Sequence, residues 1–110
     1  MVHKMTARLM TVAGLVAGVM ALAEPAAAVS FDCSRTQNSV ERRICQNREL
    51  SDLDSQMDRE YRSVSARIRP RSDVPFLRAD QLRWLAKRND CWTARCIKRA
   101  YLQRIETLES

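Results

Sequence analysis

Apolar residues recur along most of this chain at helical spacing. Leu50, Leu53, Met57, Tyr61, Val64 and Ile68 advance in steps of three and four, which places them on one face of a long helix. Upstream, Val40 and Ile44 lie four apart, behind Asn38 and with Glu41 three positions after it. That capping-box arrangement predicts one short helix, held at its end by Cys45. Asn47 is placed to cap the long helix and Pro70 to stop it. The stretch RPRSDVP, 69–75, reads as a loop. Asp73 or Ser72 is then the candidate cap of a third helix, with Pro75 in its first turn. Its inner stripe of Leu77, Gln81, Trp84, Leu85 and Arg88 is less regular, and Asn89-Asp90-Cys91 ends it. Thr93 is placed to cap a last helix, where Ile97, Tyr101, Ile105 and Leu108 repeat. No segment sustains the two-residue alternation of a strand. The expected fold is all-α, a small bundle of one short and three longer helices.

The first residues read differently. MVHKMTAR carries Lys4 and Arg8 and no acid, and the run from Leu9 to Ala23 has no charge at all. Glu24 and Pro25 break the run, and Ala26-Ala27-Ala28 follows. A basic start, an apolar middle and a small-residue end describe a secretory signal peptide. The uncharged run has 15 residues, short of the roughly 20 that span a bilayer. The expectation is a signal peptide over 1–28, a mature helical domain over 29–110, and no transmembrane anchor after cleavage. Ser30-Phe31-Asp32 before Cys33 is not the small, apolar context of a lipidated cysteine. The expected location is therefore the periplasm or the medium, not a lipid anchor.

Removing that leader changes the chemistry on offer. The whole chain has 19 Lys+Arg against 13 Asp+Glu; without Lys4, Arg8 and Glu24 the balance is 17 against 12, a net charge of about +5. All but Lys87 and Lys98 of those cations are arginine. The single histidine, His3, and both glycines, Gly14 and Gly18, fall in the leader. What remains has no histidine for acid–base or triad work and no glycine-rich phosphate cradle.

All four cysteines stay in the mature part. An even count in a short exported chain reads as a disulfide framework, and a core of this size needs such support. Of the three possible pairings, Cys33–Cys45 with Cys91–Cys96 is expected, because each closes a short loop. The spacings C-x11-C and C-x4-C without histidine suit neither a zinc site nor a C-x-x-C redox pair. No metal and no cofactor is expected.

Several stretches resemble a known family. They are Phe31-Asp32-Cys33, Val40-Glu41, Ile44-Cys45, Leu50-x-x-Leu53-Asp54 and Tyr61. Later come Gln81-x-x-Trp84-Leu85-x-x-Arg88, Cys91, Cys96 and Ala100-Tyr101-x-x-Arg104-Ile105. Together they are similar to the lysozyme inhibitor LprI-like family of exported bacterial proteins. The resemblance implies a small, helical, disulfide-bonded envelope domain, and for some members binding and inhibition of lysozyme; it brings no catalytic residue onto this chain. The chain departs from the family in lacking the lipidation signal of some members. Its second loop, Trp92-Thr93-Ala94-Arg95, also lacks the Gly or Asp common there.

The candidate contact residues follow from position. Trp84 sits on the inner stripe and reads as core. Trp92, between two cysteines, is either an exposed aromatic anchor or folded back over the end of the bundle. Arg95, Lys98, Arg99 and Arg104 run along the last helix, Arg83, Lys87 and Arg88 along the third, and Arg35, Arg42, Arg43 and Arg48 near the first. These read as a solvated face or as an anion-binding surface, with Arg88, Arg95 and Arg99 the candidate contacts beside Trp92. Glu49, Asp52, Asp54 and Asp58 suit dipole compensation better than hydrolase chemistry. The expected function is non-enzymatic binding of lysozyme or another envelope protein. The alternative is a structural or stress-response domain that binds anionic envelope polymers or lipids. Nucleic acid is not an expected partner.

Overall fold

A computed structural model describes residues 29–110, so the expected signal segment lies outside the described residues. A 3-10 turn, Cys33–Arg35, leads into helix α1, Ser39–Gln46. Helix α2, Arg48–Arg67, follows after a single residue. A second 3-10 turn, Arg71–Asp73, opens helix α3, Val74–Asn89, and helix α4 runs over Ala94–Glu109. The expected one short and three longer helices are all present among the described residues.

Local chemistry sets the boundaries. Asn38 accepts from the Glu41 amide, which satisfies one of the free donors of α1, while the Glu41 carboxylate reaches back to the Gln37 amide just ahead of the helix. Asn47 closes α1 and caps α2 by accepting from the Leu50 amide. Thr93 caps α4 through the Cys96 amide. Asp73 precedes α3, but its side chain makes no capping bond; Pro75 in the first turn lacks the amide that would need one. No described residue has positive φ, so the turns are built without glycine.

Helix α2 packs chiefly on α4, with α1 laid against α2 and α3 against α4. The core between them is Val40, Ile44, Leu50, Met57, Ile97, Tyr101, Ile105 and Leu108. Leu53, Tyr61, Val64, Leu77 and Trp84 pack around it, half-buried, as do Val29 and Phe31 from the N-terminal segment. Both expected disulfides are formed. Cys33–Cys45 ties the first turn to the end of α1, and Cys91–Cys96 bridges the turn from α3 to α4. By loop-closure entropy the first contributes about 3 kcal/mol.

Three charged residues behave unlike their sequence assignments. Arg88, expected on a basic surface, is 1 % exposed. Its Nη1 donates to the Tyr101 hydroxyl at 3.1 Å, and its Nε and Nη2 hold Asn89 Oδ1 at 3.1 and 2.8 Å. Asp54 and Glu41 stand 3.8 and 3.7 Å away as counter-charges. Asp54, expected to serve the helix dipole, is fully buried. It accepts from the Tyr101 hydroxyl at 2.7 Å and from the Ser30 amide and hydroxyl at 2.5 and 3.1 Å. The cause of both departures is the same: α3 turns Arg88 inward along the Trp84 stripe, onto the carboxylate that α2 presents. Burial above all, with the Asp54 charge beside it, pushes the Tyr101 phenol well above its usual range. Tyr101 therefore keeps its proton and passes a hydrogen bond from Arg88 to Asp54.

The third is Arg104, 5 % exposed between α3 and α4. Its Nη1 donates to Asp80 at 2.6 Å and its Nε to Gln81 at 3.0 Å. The Arg104 hydrogen bond holds the Asp80 carboxyl below the usual carboxylate range. Trp84, nearby, donates its indole N–H to the Ala100 carbonyl at 3.2 Å and stacks edge-on against Tyr101.

Two tests follow. Arg88→Met strips a buried carboxylate of its counter-charge and should lower unfolding free energy by about 3–5 kcal/mol, read as a shift in the denaturant midpoint. The Asp80 contribution is present above the ordinary carboxylate pKa and is lost as pH falls through the lowered folded value. The wild type should therefore lose stability on acidification below about pH 4, and Asp80→Asn should show a shallower loss over that window.

Candidate functional site

The turn between α3 and α4 carries the most exposed large hydrophobic side chain among the described residues. Trp92 is 90 % exposed, although it is flanked by half-buried Cys91 and by the disulfide that closes the turn. Helix α3 ends when the Asp90 and Cys91 amides bond back to Lys87 and Arg88 carbonyls, and Thr93 immediately starts α4. With both ends capped and the loop bridged, Trp92 has no core position within reach, so it projects outward from a fixed base.

A cleft of about 360 Å³ opens beside it, between this turn and the start of α1. Ser39 and Arg43 line the α1 side; Asn89, Asp90 and Trp92 line the other, and Val40 closes the floor. A second depression of about 470 Å³ shares Ser39 and Arg43 and continues along α1 past Arg42 to Gln46 and Asn47. Arg42 and Arg43 are exposed and make no ion pair with any described residue.

Arg95 and Arg99, the other sequence candidates, lie one turn apart on α4 and line a separate groove with Lys98, Glu49 and Leu102. Lys98 is tied across to Glu49 at 3.0 Å, while Arg95 and Arg99 are exposed and unpaired among the described residues. Trp92 and the Arg95–Arg99 pair thus flank the stapled turn on two sides. Arg88 belongs to neither groove: it is a correction, since its guanidinium is spent inside the bundle and cannot reach a partner. It still matters to the site, because it holds the oxygen of Asn89 and so fixes how that amide faces the cleft.

Sequence reasoning missed Ser39, Asn89 and Asp90, and saw Arg43 only as one of a basic cluster. The signal that joins them is the pairing of α1 with α3, which Arg88 and Glu41 mediate and which periodicity does not reveal. Among the described residues no group of His, Cys, Asp and Glu is gathered as metal ligands, and no helix is long and apolar enough to cross a membrane.

A protein-family model described as lysozyme inhibitor LprI matches residues 32–108. No curated protein and no solved structure matches the chain.

Opening the second disulfide tests the role of the turn. The Cys91–Cys96 bridge closes only a short loop, so the double variant Cys91→Ser with Cys96→Ser should cost less stability than loss of Cys33–Cys45. Its main effect should be on Trp92, whose fluorescence anisotropy should fall as the turn loosens, while the helical circular dichroism stays near wild type.

Proposed function

The chain belongs to the lysozyme inhibitor LprI family, and on that premise we propose that it is an exported, non-catalytic protein that binds and inhibits lysozyme. The contact is the stapled turn, with Trp92 as the aromatic anchor and Arg95 and Arg99 beside it. The observation that carries this is Trp92, 90 % exposed on a bridged turn, with Arg95 and Arg99 on the helix that follows, both exposed and in no ion pair with a described residue. An aromatic side chain on a bridged turn loses little freedom on binding, and aromatic and arginine side chains dominate interface energies.

Charge decides how such a complex would form. The chain carries a formal net charge of +6, and many lysozymes are themselves basic, so the two repel at long range and meet slowly. Attraction has to come at short range. A glycosidase cleft presents two catalytic carboxylates, and an arginine fork pairs with a carboxylate through two charge-assisted hydrogen bonds. Arg95, at the start of α4 beside the anchor, is the side chain placed to enter. An inhibitor of this kind blocks the cleft by occupying it and needs no chemistry of its own.

Calorimetric titration of lysozyme with the oxidised protein, without cell-wall substrate, should show a stoichiometric complex. Trp92→Ala and Arg95→Ala should each weaken it by about tenfold or more. Association should speed up with added salt as the mutual repulsion is screened. Absence of binding across several lysozyme types would end the proposal.

A further inference from the structure

We propose that the cleft between α1 and the stapled turn binds an acidic pyranose oligosaccharide, with a sugar ring stacked on Trp92 and its carboxylate held by Arg43. This site shares Trp92 with the lysozyme contact but uses the opposite side of the turn and a different cation.

The lining of the cleft matches a sugar group by group. A pyranose offers an apolar face of C–H bonds, and the indole of Trp92 is an exposed flat surface of that size at the cleft edge. The ring carries hydroxyls, each both donor and acceptor, and the cleft answers with both kinds of partner. Asp90 is an exposed carboxylate with no ion pair to a described residue, so it accepts. Asn89 has its oxygen occupied by Arg88, which leaves its amide nitrogen to donate. Ser39 does either. Arg43 then supplies a planar fork for one carboxylate on the sugar.

The same inventory argues against other anions. A phosphate-rich lipid surface is flat and would leave the Asn89 amide and Ser39 hydroxyl that line the cleft without partners. Single-stranded nucleic acid is held by several aromatic platforms in a row, and Trp92 stands alone. The depression that continues past Arg42 gives a longer chain a place to run, with a second unpaired cation along it. Preorganisation is built in: one wall is a capped helix, the other a disulfide-closed turn, and buried Arg88 holds Asn89 from behind.

The test is calorimetry of the oxidised protein with three probes and no lysozyme present. They are a tetrasaccharide of alternating N-acetylglucosamine and glucuronic acid, neutral chitotetraose, and vesicles of phosphatidylglycerol. The acidic tetrasaccharide should bind with a stoichiometry of one, more tightly than the neutral one. Arg43→Ala should weaken it by about tenfold and Trp92→Ala by at least as much. Arg95→Ala should leave it unchanged while weakening the lysozyme complex, so the two readings stand or fall separately. Arg43 and Trp92 are both exposed, and unchanged thermal unfolding of each variant would show the loss is not one of folding. The proposal is overturned if the acidic tetrasaccharide does not bind. It is overturned too if Arg43→Ala binds it as well as wild type, if chitotetraose binds equally, or if only the vesicles bind.

Discussion

A guanidinium taken out of water has to be met by charge and by hydrogen bonds, and Arg88 is met from every side. Glu41 comes from α1, Asp54 from α2, Tyr101 from α4 and Asn89 from its own helix. The Phe31 ring lies 5.5 Å from it, and Trp84 and Tyr101 about as near. One side chain therefore registers all four helices, and Asp54 extends the register to Ser30. A core of eight buried apolar residues would tolerate several ways of sliding one helix past another; a buried charge with fixed partners tolerates one. The apolar contacts supply most of the drive to collapse, and the polar centre selects the arrangement.

The helices were legible because their signals are local. Asn38, Asn47 and Thr93 act within three residues of themselves, and Val40, Ile44, Leu50, Met57, Ile97 and Tyr101 recur at helical period. The cysteine pairing was legible for the same reason, each bridge closing a short loop. Arg88, Asp54 and Arg104 were misplaced because composition statistics put arginine and aspartate outside. Their partners lie far away in sequence: Asp54 and Tyr101 are 47 residues apart. The inner stripe of α3 did contain the clue, since Arg88 falls in step with Trp84 and Leu77.

The candidate site divides along the same line. Trp92 was visible as an aromatic between two cysteines, and Arg95 and Arg99 as cations near it. That the cleft beside Trp92 is completed by Ser39 and Arg43 depends on α1 meeting the end of α3, which is a property of the buried network. Site and core are thus linked physically. Arg88 faces the interior, yet through Asn89 it shapes the wall of a surface cleft.

The described backbone never enters the left-handed region. Such a chain makes no demand for glycine, and its turns are set by capping side chains, prolines and sulfur bridges instead. Evolution can therefore rewrite most of its surface without breaking the backbone. What it cannot rewrite separately are the few positions that answer one another across the molecule: four cysteines, and the Asp–Tyr–Arg cluster. A change at any one of those points is felt by a partner on another segment, whereas a change on an exposed face meets no such answer.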